Sequence, residues 1–224
     1  VDGGEHWLAA QIGIARVLIE QGKPDAARNY IDSVVAADPD DAVQFRIAEA
    51  QLFSDTSDNQ AALKVFDQAL AENPDNGDLL YGRALLQDVL GNTAAAESDL
   101  HLIISRQPDN ADALNALGYT LTVHSTRYQE ARIYIEKALQ LKPDDPAIID
   151  SMGWVEYRLG NYPQALDYLR KAYAQLADPE VAAHLTEALL AAGDVQEARG
   201  VWSSALKQHP KNPALLKLGS RFSP

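Results

Sequence analysis

The chain has 224 residues, 46% of them hydrophobic in type, with no cysteine and a formal net charge of −13; this is enough apolar material for one large or two ordinary cored domains and excludes a disordered tail. The missing cysteines exclude disulfides, thiolate metal sites and cysteine nucleophiles, and the acidic balance argues against nucleic acid and anionic membranes as ligands, since both are held mainly by Lys and Arg. No apolar run approaches the roughly 20 residues that span a bilayer, ALLAA at 188 to 192 being typical of the longest.

The chain opens on VDGGEHW, with neither an initiator Met nor a signal-peptide pattern, and is expected to be a fragment whose targeting information lies upstream. Helical signals then recur with a period of about 34 residues. The first unit, 8 to 41, turns on Gly22, continues through Ala27, Ile31 and Val34, and stops at Pro39 with Asp41 as the next N-cap. The second, 42 to 76, has a longer turn at Ser54 to Asn59, then Ala62, Phe66 and Ala69, Pro74 and the cap Asn76. The third, 77 to 110, turns on Gly91 and carries Ala96, Leu100, Ile103, Pro108 and Asn110. The fourth, 111 to 145, turns over Val123 to Arg127 and carries Ala131, Ile135, Ala138, Pro143 and Asp145. The fifth, 146 to 178, starts on Pro146, turns on Gly160 and carries Ala165, Leu169, Ala172 and the cap Asp178. The sixth, 179 to 212, starts on Pro179, turns on Gly193 and carries Ala198, Trp202, Ala205, Pro210 and Asn212. PALLKLGSRF, from Pro213, reads as one more helix, a cap or the start of a shortened repeat, within 213 to 224.

In every unit the small, bulky and small or branched residues stand at i, i+4 and i+7, which draws one face of a helix. Proline stops and Asn or Asp caps punctuate the ends, so each unit is two helices. Glycine supplies a left-handed turn residue in four units; the two longer turns are expected to manage without one. This period and marker order resemble the tetratricopeptide repeat, or TPR. The resemblance implies an all-α TPR α-solenoid, a single right-handed array over 1 to 224 held by nearest-neighbour contacts, with the first helix of each pair lining a concave face.

Chemistry is not legible. His6, His101, His124, His184 and His209 never fall at metal-ligand spacing and read as surface or partly packed helix residues. There is no GxGxxG, Walker loop or GxSxG elbow. DTSDN at 55 to 59 lacks the glycine and distal glutamate of a calcium loop and reads as a polar turn. Acid pairs such as Asp40 with Asp41 and Asp144 with Asp145 are explained by capping. No catalytic residue, metal or cofactor is expected.

Counting from the first residue of each repeat, positions 4, 7, 8 and 11 of the first helix pack inside; in the fifth repeat these are Ile149, Met152, Gly153 and Glu156. Positions 2, 5, 9 and 12 fall on another face, which the resemblance makes the groove. It holds Tyr81, Asn115, Tyr119, Asp150, Trp154 and Tyr157, with Glu187 beyond them. Rings with an amide and carboxylates between them suit a peptide. A second reading has Trp154 packing on Tyr119 or a neighbouring helix and stiffening the stack; the two are compatible, because a stacked Trp can expose an edge.

Chaperone-tail receptors of the resembled family clamp a carboxylate with Lys at position 5 and Asn at position 9, whereas position 5 here runs Ile12, Arg46, Tyr81, Asn115, Asp150 and Ala183. The asparagine ladder of sugar-transferring TPR proteins lies at position 6, where this chain has Gly13, Ile47, Gly82, Ala116, Ser151 and His184. Neither pattern is present. NADALNALGYTL at 110 to 121, DDPAIIDSMGWVEYRLG at 144 to 160 and DPEVAAHLTEALLAAGD at 178 to 194 resemble the C-terminal repeats of Gram-negative outer-membrane lipoproteins, one branch of which is adaptor to a carboxyl-terminal processing protease. The resemblance implies a periplasmic array anchored through an upstream segment; without it the compartment would be cytoplasmic. The expected function is a protein-interaction scaffold or adaptor binding a partner segment, with the protease and its substrates as partners. The alternatives are a TPR lipoprotein assisting assembly of an outer-membrane machine such as a pilus secretin, and the regulatory part of a larger enzyme.

Overall fold

The structure is a computed structural model that describes residues 5–37 and 39–222. The expectation placed on the opening VDGG and the surface reading of the His6 side chain lie outside the described residues. Among these, every regular element is a helix: α1 (Glu5–Glu20), α2 (Pro24–Ala37), α3 (Ala42–Asp55), α4 (Asn59–Glu72), α5 (Gly77–Val89), α6 (Thr93–Arg106), α7 (Ala111–His124), α8 (Tyr128–Leu141), α9 (Pro146–Arg158), α10 (Tyr162–Gln175), α11 (Pro179–Ala192), α12 (Val195–Gln208) and α13 (Pro213–Leu218). Two short 3-10 turns, Pro39–Asp41 and Gly219–Arg221, complete the set.

The punctuation has its physical counterpart. Asn76, Asn110 and Asn212 accept hydrogen bonds from the backbone N–H three residues on, at 3.0, 3.0 and 3.1 Å. Asp145 and Asp178 accept from the N–H two residues on, at 2.9 and 2.8 Å. Each removes an orphan donor of a first helical turn. Asp41 differs: the 3-10 turn runs straight into α3, leaving Asp41 at φ −95 and ψ 10 with no side-chain cap bond. Two caps go beyond the inter-repeat set, Asp58 on α4 and Asp194 on α12.

Gly22, Gly91, Gly160 and Gly193 all take positive φ. The turn after α3 is no longer than the glycine turns after α5 and α9, three residues in each case, because the extra residue lengthens α3 to 14 residues against 13; nor does it dispense with a left-handed residue, since Ser57 adopts φ 65 there. The N–H of Asp58 returns to the carbonyl of Phe53 at 2.9 Å, closing the helix end with the same spacing as Asn92 to Gln87 and Asn161 to Glu156 at the glycine turns. The last helix is shorter than PALLKLGSRF suggests. It ends at Leu218, and the 3-10 turn brings Phe222 onto Trp202 with ring centroids 4.9 Å apart.

Packing follows the alanine marker. Ala27, Ala62, Ala96, Ala131, Ala165 and Ala198 are all buried, as are Ile31, Phe66, Leu100, Ile135 and Leu169 four residues later. Trp202 is half-buried instead, its Nε1–H donating to the Leu215 carbonyl at 2.7 Å. Gly82, Gly118 and Gly153 sit at close helix contacts: a Cβ on Gly118 would lie 2.4 Å from Cγ1 of Ile135 and 2.8 Å from the Ala131 carbonyl oxygen. Glu156, at an inward position, is buried because Arg132 pairs with it at 2.8 Å and Asn161 donates to it at 2.6 Å.

The chain divides into two compact units, residues 1–103 and 104–224. In the first, α1 packs on α2 and α3, and α3 on α4 and α5. Arg83 ties this unit together, forking onto Asp99 with two bonds of 2.8 Å and reaching Asp67 with a third. In the second, the first helices α7, α9, α11 and α13 touch in succession and form one wall, backed by α8, α10 and α12.

Candidate functional site

The wall of the second unit carries five of the six residues expected in the groove. Helix α7 supplies Asn115 and Tyr119, α9 supplies Asp150, Trp154 and Tyr157, and α11 supplies Glu180, His184 and Glu187. Consecutive first helices lie side by side, so residues about one repeat apart meet across the helix boundary.

Asn115, Tyr119 and Asp150 line one open cavity of about 260 Å³, together with Ala147, Ser151, Val181 and the acidic pair Asp178 and Glu180. The Tyr119 hydroxyl donates to Oε1 of Glu180, joining α7 to α11 across the cavity. Asp150 is 6% exposed, and its Oδ2 lies 2.8 Å from Nδ1 of His184, itself 7% exposed. The other Asp150 oxygen, Oδ1, and Oδ1 of Asn115 are buried with no hydrogen-bond partner among the described residues. A buried acceptor without a donor is costly, so this cavity holds unspent hydrogen-bonding capacity.

Trp154 is 8% exposed. It is sandwiched, with its ring centroid 4.1 Å from that of His184 and 4.8 Å from that of Tyr157, stacked on both. Its Nε1–H has no acceptor among the described residues. Trp154 therefore forms the packed floor beside the cavity, while Tyr119 and Tyr157 remain half-buried at the surface. The Tyr157 hydroxyl donates to Glu187 at 3.5 Å, and burial together with the Glu187 charge pushes that phenol above its ordinary pKa.

Tyr81 lies in the first unit and lines a separate cavity of about 430 Å³ with Ile47, Phe66, Leu85, Leu86 and Val89. That cavity is mostly apolar. The structure thus gathers Asn115, Tyr119, Asp150, Trp154 and Tyr157 on one wall and assigns Tyr81 to the other unit.

His184 departs from its reading as a surface or partly packed residue. Burial alone would pull its imidazolium down, but the facing Asp150 carboxylate, by charge and by hydrogen bond, with Glu180 and Glu187 behind it, raises it above the usual histidine pKa. The available signal was spacing: Asp150 and His184 are 34 residues apart, one repeat period. Among the described residues no cluster could hold a metal ion, and no helix is long and apolar enough to cross a membrane.

Comparison with known proteins agrees with the helix-pair geometry. A family model described as tetratricopeptide repeat matches residues 7–52, 55–118 and 156–221, and a second of the same description matches 111–145. The TPR repeat-containing protein PA4667 of Pseudomonas aeruginosa is 44% identical over 187 residues, 84% of this chain and 32% of that relative, so the chain spans about a third of the relative's length. The thermophilic TPR protein TTC0263 of Thermus thermophilus superposes with a TM-score of 0.70 at 26% identity, covering 79% of this chain and 97% of that one. The type IV pilus biogenesis factor PilW superposes with a TM-score of 0.70 at 16% identity over 96% of this chain and 99% of its own, a likeness of fold alone.

Proposed function

We propose that this chain, which belongs to the tetratricopeptide repeat family, is a non-catalytic adaptor that holds a segment of a protein partner against the wall formed by α7, α9 and α11. The all-α TPR solenoid supplies the frame, and protein partners are what such frames bind. One observation carries the choice of face: the cavity where Asn115 and Asp150 keep buried acceptors without donors, beside the half-buried ring of Tyr119. A peptide brings backbone and side-chain N–H groups that satisfy such acceptors, and half-buried rings give contact area at small entropic cost.

The finer reading is a periplasmic adaptor for a carboxyl-terminal processing protease. It rests on the resemblance of 110 to 121, 144 to 160 and 178 to 194 to the repeats of the lipoprotein group. An assembly role on an outer-membrane machine is the competing outcome.

The test is affinity capture from a bacterial envelope extract with the wild type and an Asn115→Ala, Tyr119→Ala double variant checked by circular dichroism. Recovery of a processing protease or its substrates by the wild type, lost in the variant, is the expected result. Recovery of a membrane ring protein would move the chain to the assembly class. Equal capture by both proteins would remove the α7/α9/α11 wall as the binding face.

A further inference from the structure

The cavity in the second unit is unusual in what it lacks. Its lining includes Asn115, Asp150, Asp178 and Glu180, and Oδ1 of Asn115 and Oδ1 of Asp150 are buried without a hydrogen-bond partner among the described residues. Several acceptor sites are already engaged. Oδ2 of Asp150 faces His184, Oδ1 of Asp178 receives the Glu180 N–H at 2.8 Å, and Oε1 of Glu180 takes the Tyr119 hydroxyl. What remains, on a 6% exposed carboxylate and a shielded amide oxygen, is capacity to accept from donors that the described residues do not supply.

Resting on the reading of this wall as the partner-binding face, we propose that the cavity bounded by Asn115, Tyr119, Asp150, Asp178 and Glu180 receives one arginine side chain of the partner segment. A guanidinium is permanently charged, accepts nothing, and spreads five N–H donors in a plane. That distribution meets acceptors standing on three different helices at once, and a planar cation also lies well against a phenol ring such as that of Tyr119. An ammonium is a compact point charge with three donors, and is less suited to acceptors spread over α7, α9 and α11. Three carboxylates face the cavity against one imidazole. Nδ1 of His184 faces Oδ2 of Asp150, so when protonated it offsets part of one carboxylate and leaves Oδ1, Asp178 and Glu180 for the ligand. The chain's net charge of −13 draws a basic segment toward it over longer range.

Trp154 provides the readout, because its ring stacks on His184, the partner of Asp150. The 15N-labelled protein is titrated with the blocked pentapeptide Gly-Ser-Arg-Ser-Gly and with peptides carrying lysine or neutral citrulline in place of arginine. The indole N–H resonance of Trp154, assigned by its loss in Trp154→Phe, is followed throughout. The arginine peptide is expected to move it saturably and to bind about tenfold more tightly than either control, the scale of a charge-assisted bond to a buried carboxylate.

Asp150→Asn should weaken the arginine peptide by about tenfold, and Glu180→Gln, at an exposed position that leaves the fold intact, by about threefold. Equal binding of the lysine or citrulline peptide overturns the proposal, as does an arginine affinity unchanged in Glu180→Gln. Partner capture lost in the Asn115→Ala, Tyr119→Ala variant, without any arginine preference, would sink this inference alone. Capture that survives that variant would sink it together with the reading of the wall.

Discussion

Nδ1 of His184 lies 2.8 Å from Oδ2 of Asp150, and the imidazole ring stacks 4.1 Å from Trp154. The pair joins α11 to α9 inside the second unit, between two repeats rather than within one. A buried contact between a histidine and a carboxylate of neighbouring repeats is an ion pair only when the imidazole is protonated, so its strength depends on pH.

The folded state raises the His184 pKa, so between the unfolded value of about 6.5 and the folded one the native protein holds more protons than the unfolded chain. The pair's contribution is fully present below about pH 6.5 and is lost as pH rises through the folded value. Melting temperatures recorded from pH 6 to pH 9 should fall with pH in the wild type, and His184→Gln should flatten that slope. An identical slope in the variant would assign the dependence to other groups.

Trp154 is 8% exposed and stacked on both faces, so Trp154→Ala should cost about 3–5 kcal/mol of stability, in the range of a buried aromatic lost to a cavity. Trp154→Phe keeps a ring between His184 and Tyr157 and should cost much less. Urea unfolding of the two variants checks this; equal and small losses would mean that the indole is not part of the packed floor.

Gly118→Ala should destabilise by about 1–3 kcal/mol, because the new methyl would stand 2.8 Å from the backbone oxygen of Ala131, an atom that no rotamer change can move. Gly153→Ala meets the Leu169 side chain at 2.6 Å and the Leu169 nitrogen at 3.1 Å, and Ala165→Leu overfills a fully buried site in the same α9/α10 contact. Chemical denaturation midpoints should fall in all three, with helicity retained at zero denaturant.

Arg83 occupies an inward position of the third repeat and holds Asp99, which is buried, with two 2.8 Å bonds. Arg83→Met leaves that carboxylate in place without its counter-charge, which should cost about 3 kcal/mol. The double change Arg83→Met, Asp99→Leu should recover much of the loss. A double variant no better than the single one would show that the fork does more than neutralise Asp99.

The fold was legible because its signals are local and repeated. Alanine at the helix crossing, proline two residues past a helix end and Asn or Asp at the next start each act within one turn, and six recurrences fix the period. Ser57 and Asp41 escaped because one backbone torsion depends on how a particular turn closes. The wall of the second unit could be placed from helix periodicity, whereas the burial of Trp154 depends on His184, a side chain 30 positions away on the next first helix. His184 was overlooked because a lone histidine carries little information by type. Only its spacing of 34 from Asp150 marks it as a partner.

Side-chain caps at five inter-repeat starts, each following a proline placed beyond a helix end or a bare turn, give most helix pairs their own beginning and end. A segment that starts and stops itself can be duplicated or deleted as a block, since the junction created is the junction already present elsewhere. Single-residue insertions meet a different tolerance. They fall in the first helix of a pair: α3 and α7 have 14 residues where α5 and α9 have 13, and the gap to the second helix stays at three residues. Evolution can therefore adjust the length of such a chain in steps of a whole repeat.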